Sequence, residues 1–99
     1  MRITPHDAEA IRRVTAEAAG VYARVKLFGS RTRDDLRGGD IDLLIELPEP
    51  TLNKLTVSLR ADAKLQTAIG ERRIDVPVTD PQSVETPLIR AARLEGVVL

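Results

Sequence analysis

Gly29-Ser30-Arg31-Thr32-Arg33-Asp34-Asp35-Leu36-Arg37-Gly38-Gly39-Asp40-Ile41-Asp42-Leu43 is the stretch on which the reading of this chain turns. It joins a Gly-Ser turn to two aspartates, Asp40 and Asp42, that alternate along an apolar strand. A Gly-Ser turn at the start of a helix offers backbone N–H groups and a hydroxyl to a phosphate. Carboxylates at i and i+2 of a strand point the same way, about 7 Å apart along the chain. From that spacing both can converge on Mg²⁺, which prefers oxygen ligands. A phosphate cradle and metal ligands on one short segment point to nucleotide chemistry.

Working outward, Asp40 to Leu47 reads as a strand. Ile41, Leu43, Ile45 and Leu47 take one face, and Asp40, Asp42, Leu44 and Glu46 the other. Pro48 and Pro50 end it. Before it, Val21 to Phe28 reads as a strand leading into Gly29, Ser30 to Leu36 as a short helix, and Arg37-Gly38-Gly39 as a turn. Thr4-Pro5-His6-Asp7 is a helix start, with Thr4 as cap and Pro5 at the first helical position. Ala8, Ile11, Val14, Ala18 and Val21 then mark one helical face, and Gly20 a stop. On the other side, Thr51 caps a helix to about Ile69, with Leu52, Leu55, Leu59, Leu65 and Ile69 as its main apolar residues. Asp62 falls near the middle of that stripe. Arg72 to Val78 is a third strand, with Ile74, Val76 and Val78 on one face and Asp75, beside Arg73, on the other. Pro77 suits an edge. Thr86-Pro87 opens a last helix through Leu94, stopped by Gly96. Val97-Val98-Leu99 reads as core edge or a packed terminal strand. The order α-β-α-β-α-β-α gives an α/β (α+β) domain around a small mixed sheet.

The chain has 99 residues, which suits one domain spanning 1–99. Tyr22 and Phe28 are the only aromatics, so the core must be aliphatic. The 15 basic and 15 acidic residues cancel, which argues against a dedicated nucleic-acid binder. The absence of cysteine excludes disulfides and thiolate metal sites. The start is polar and charged, and no apolar run reaches the length of a membrane span. A soluble cytoplasmic protein is expected. His6, the one histidine, sits in the first helical turn, so no histidine-based mechanism is available.

Phe28-Gly29-Ser30-Arg31 through Gly38-Gly39-Asp40-Ile41-Asp42-Leu43-Leu44-Ile45 resembles the minimal nucleotidyltransferases of the polymerase β-type superfamily. These are the small partners of HEPN-domain toxins in prokaryotic toxin–antitoxin pairs. The resemblance covers nearly the whole chain, including Arg73-Ile74-Asp75-Val76 and the closing helix-Gly-apolar tail. It implies a three-acid site in which Asp40 and Asp42 bind Mg²⁺ and Asp75 completes the set. It also implies that Gly29 and Ser30 hold the phosphates of a nucleoside triphosphate, with ATP as substrate. The reaction implied is transfer of a nucleoside monophosphate to an acceptor hydroxyl, with pyrophosphate leaving. Arg31 and Arg33 lie where a guanidinium would hold that pyrophosphate, and Arg37 is a further candidate. Asp75 is also a candidate base for the acceptor's proton. One departure is Gly39, where many relatives carry Ser.

Alternation alone would give Asp40 and Asp42 as exposed strand residues. Asp is a poor strand former, however, and Gly-Ser with a spaced Asp-x-Asp is far more specific than either part. Asp75 taken alone reads as a solvated strand acid, and only its fit to the motif gives it a role. Arg31, Arg33 and Arg37 beside Asp34 and Asp35 read equally well as a surface ion-pair cluster. The expected function is Mg²⁺-dependent transfer of AMP from ATP to a hydroxyl of a HEPN-type toxin, which neutralises it. Two alternatives stay open. One is neutralisation by binding alone; the other is modification of a small molecule, with a homo-oligomer supplying the acceptor wall.

Overall fold

The computed structural model describes residues 3–28, 41–71 and 73–99. Helix α1, Pro5–Ala19, starts as its sequence dictates: the Thr4 side chain accepts from the Asp7 N–H at 3.0 Å, and Pro5 fills the first turn. Gly20 closes the helix at φ +99°, a backbone conformation that side chains other than glycine rarely adopt. Ala8, Ile11, Val14 and Ala18 are buried as predicted, but Val21 is not. The Ala23 N–H bonds back to the Gly20 carbonyl at 3.2 Å, so Val21 and Tyr22 form an exposed turn. Strand β1 therefore begins at Arg24 and runs to Phe28, later than the predicted start at Val21.

Strand β2, Ile41–Glu46, pairs antiparallel with β1 and sets Val25 against Ile45, Leu27 against Leu43 and Phe28 against Asp42. The third predicted strand is split into β3, Ile74–Asp75, and β4, Val78–Thr79. Both run parallel to β2 in one continuous register, Ile41 with Ile74 and Ile45 with Val78. Pro77 has no N–H to donate, yet its carbonyl still accepts from the Ile45 N–H at 3.0 Å. The break thus sits on the sheet edge, where proline is tolerated. On the far side β5, Val97–Val98, pairs antiparallel with β1, so the apolar tail is a strand. The sheet order is β3-β2-β1-β5, with β4 also on β2. The class is α+β around a mixed sheet. The described elements differ from the predicted order by the split strand and by β5. The predicted helix Ser30 to Leu36 and turn Arg37 to Gly39 lie outside the described residues.

One face of the sheet carries the main core. Val25, Leu27, Ile41, Leu43 and Ile45 pack with Ala10, Ile11, Val14 and Ala18 of α1. Helix α2, Lys54–Ile69, adds Ala61, Leu65 and Ile69 to that core. Here the predicted stripe fails in its first half, because Leu52, Leu55 and Leu59 are exposed. At 100° per residue, Leu55 and Leu59 lie about 100° round the helix from the buried set. Thr51 is not the cap either. Its N–H is committed to the Asp80 Oδ2 at 2.9 Å, and Asn53 takes the cap position.

Helix α3, Pro87–Glu95, is capped by Thr86, whose side chain accepts from the Ile89 N–H at 3.2 Å. It covers part of the other face, where Phe28, Leu44, Ala92 and Ile89 form a second, smaller cluster. Charge clamps it there. Glu46 lies 3.3 Å from Lys26 Nζ and 3.3 Å from Arg93 Nε, and Arg93 Nη1 donates to Glu85 at 2.8 Å. Arg93 thereby ties α3 to β2 through Glu46, and its carbonyl, accepting from Lys26 Nζ at 3.1 Å, ties it to β1.

Candidate active site

Asp42 and Asp75 are register partners on adjacent parallel strands. Neighbouring strands lie about 4.8 Å apart, and paired residues of parallel strands project to the same face. Both carboxylates accordingly line one open groove of about 700 Å³ at the β3 edge of the sheet. The alternation that buries Ile41 and Leu43 under α1 and α2 is what turns Asp42 to this face. Asp42 is half-buried, whereas the Asp75 side chain is 59% exposed, with Arg73 Nε at 4.0 Å.

The groove has two helical walls. Ser58, Leu59 and Asp62 come from α2, and Leu88, Ala91 and Glu95 from α3. The Ser58 hydroxyl donates to the Val76 carbonyl at 2.7 Å, which fastens α2 to the edge strand. Gln66 Nε2 donates to the Asp62 carboxylate at 3.0 Å. Phe28, the last residue of β1 before Gly29, lies on the floor with Ile74, Val76 and Pro77.

Four carboxylates thus border the groove; among the described residues its lining includes no Lys, Arg or His, and Arg73 is the cation beside Asp75. Hard carboxylate oxygens on adjacent strands suit a divalent metal, so Asp42 and Asp75 fit the ion that the sequence implies. Among the described residues no three such ligands gather into a complete metal site. Asp40, Gly29, Ser30, Arg31 and Arg33, together with Arg37 and Gly39, lie outside the described residues. Asp62, Glu95 and Ser58 were not placed in the site by sequence reasoning. Asp62 gave one signal, an acid in the middle of an apolar stripe; Glu95 and Ser58 gave none.

Among the described residues no helix is long and apolar enough to cross a membrane. No curated protein matches the chain. The model of the family described as "Nucleotidyltransferase domain" matches residues 9–95, which take in most of α1, strands β1 to β4, α2, α3 and the groove, and the chain belongs to that family.

Proposed function

We propose that this protein is a one-domain cytoplasmic enzyme that transfers AMP from ATP, with Mg²⁺, to a hydroxyl of a HEPN-type toxin and so neutralises it. The observation that supports the reading is the register of Asp42 against Asp75 in one open groove bordered by acids. In the transfer, the acceptor oxygen bonds to the α-phosphorus and the bond to the bridging oxygen breaks. Pyrophosphate leaves, and the hydroxyl proton passes to a carboxylate, for which Asp75 is the candidate. Asp40, Asp42 and Asp75 would hold the divalent ion, which when bound neutralises phosphate charge and aligns attacker and leaving group. Gly29 and Ser30 would hold the triphosphate, with Arg31 and Arg33 on the leaving pyrophosphate.

In this reading the acceptor hydroxyl must be held in line with the α-phosphate, and positioning supplies much of the rate in such a reaction. A second polypeptide that brings its own hydroxyl meets that need. The test is incubation with each α-labelled nucleoside triphosphate, Mg²⁺ and a purified HEPN toxin, followed by mass spectrometry of both proteins. AMP on the toxin is the expected result. A bound but unlabelled toxin would favour neutralisation by contact, and rapid labelling of small alcohols alone would favour a small-molecule acceptor.

A further inference from the structure

Leu55 and Leu59 stand one turn apart on α2 and are 72% and 61% exposed, and Leu88 of α3 is 57% exposed. Burying a leucine side chain is worth about 1.5–3 kcal/mol, so aligned exposed leucines are a surface with binding energy in reserve. Leu59 and Leu88 belong to the two walls of the groove, and Leu55 continues the Leu59 stripe outside it. The same walls carry Asp62 and Glu95, two acids beyond the three that the sequence motif assigns.

We propose that this ridge docks a polypeptide segment of the acceptor protein, one that sets apolar side chains and Lys or Arg around the hydroxyl to be modified. The inference rests on the transfer reading above and names the kind of acceptor that this site takes. Apolar side chains of the segment cover Leu55, Leu59 and Leu88, while its basic side chains meet Asp62 and Glu95. A small-molecule acceptor inside the groove would leave Leu55 uncovered, since that residue is not part of the lining. A second copy of the chain docked face to face would set these acids against their own symmetry mates, which opposes like charges.

The probe is a synthetic peptide with one tyrosine flanked by leucines and lysines, and a second in which glutamates replace the lysines. Binding is read by fluorescence anisotropy. The lysine peptide should bind the wild-type protein, and at least tenfold less tightly to Leu55→Glu/Leu59→Glu. The glutamate peptide should bind at least tenfold less tightly to wild type. Leu94→Glu changes an exposed leucine of α3 outside the groove and should leave binding unchanged. If the glutamate pair fails to fold, Leu55→Ser/Leu59→Ser carries the same comparison. Absent binding of the lysine peptide, equal binding by the leucine pair, or an equal loss in Leu94→Glu would overturn the proposal. Peptide binding requires no chemistry. Binding that follows these expectations while the wild type transfers no nucleotide to any acceptor would sink the transfer reading and leave the docking surface standing.

Discussion

Under α1 and α2 the sheet presents Val25, Leu27, Ile41, Leu43 and Ile45, all buried. Under α3 the same two strands present Phe28 and Leu44, then Asp42, Glu46 and Lys26. Alternation made both faces, yet among the described residues only the first is covered along its length. Helix α3 has 9 residues, so it spans only roughly 14 Å at 1.5 Å per residue. It shields Phe28 and Leu44 and leaves the β3 edge open beside Asp42 and Asp75. One face has been given to stability and the other to an open groove bordered by acids. Substitutions on the two faces should therefore fail in different ways.

The largest expected effect is on chemistry alone. Asp42→Asn keeps the shape of the side chain but removes the charge that a divalent ion needs. Transfer should fall by about a thousandfold, roughly 4 kcal/mol of transition-state stabilisation, with the melting temperature held or raised. Activity within tenfold of wild type would remove Asp42 from the machinery.

Next come neighbours on opposite faces. Leu43 and Leu44 are both fully buried, but Leu43 faces the main core and Leu44 the smaller cluster under α3. Leu43→Ala should cost about 3–4 kcal/mol, since the packed core around it cannot collapse onto the void. Leu44→Ala should cost about 2 kcal/mol, because a short helix over a small cluster can settle inward. It should also lower transfer, as α3 carries a wall of the groove. Denaturant titration and a transfer assay on the same samples measure both quantities. Equal stability losses with activity unchanged would erase the distinction between the faces.

The faces were unequally legible in the sequence. Thr4-Pro5, Thr86-Pro87 and the alternation of Ile41 to Glu46 are local signals, and each produced its element. The choice of buried face on α2 is not local. It depends on Ala61 and Leu65 joining Ile11 and Val14 of α1 in one core, so the larger leucines at 52, 55 and 59 drew the stripe away from the small Ala61. The split at Val76-Pro77 and the pairing of the tail with β1 likewise need partners distant in the chain. The groove joins α2, β3 and α3, so Asp62 and Glu95 enter it through tertiary packing, whereas Asp42 and Asp75 were visible through their motif.

A smaller loss is expected at the junction of α3 and β5. Gly96 has an ordinary negative φ, so its reason is space: a Cβ there would press on the Ala92 carbonyl and come 3.0 Å from Lys26 Cβ. Gly96→Ala should destabilise by about 1–2 kcal/mol, because the carbonyl is held in the last turn and cannot yield freely. Thermal melting checks it. An unchanged midpoint would mean that α3 lifts from β1 at no cost, which would contradict the clamp formed by Lys26, Glu46 and Arg93.

The smallest effect over ordinary pH concerns Asp80, in the loop between β4 and α3, away from both faces. Its side chain is buried, accepting from the Thr51 N–H at 2.9 Å, the Lys54 ammonium at 3.1 Å, the Gln82 N–H at 2.8 Å and the Ser83 hydroxyl at 3.1 Å. The Thr51 bond above all, then Lys54, Gln82 and Ser83, hold its carboxyl well below the usual carboxylate range, against the opposing pull of desolvation. A lowered folded-state pKa contributes stability that is complete above the unfolded value, near 3.9, and is lost as pH falls below it. Asp80→Asn turns an acceptor oxygen into a donor facing other donors, so it should melt several degrees below wild type at pH 7. That gap should stay constant down to about pH 5 and narrow below pH 4, as Asp80 takes up a proton in the unfolded wild-type chain while the folded one resists it. Melting curves of both proteins from pH 7 to pH 3 give the answer. A gap that narrows between pH 7 and pH 5 would assign the acid sensitivity to some other group. No narrowing at pH 3 would show that Asp80 binds its proton equally well folded and unfolded, and would remove the Thr51 and Lys54 bonds as a source of acid-sensitive stability.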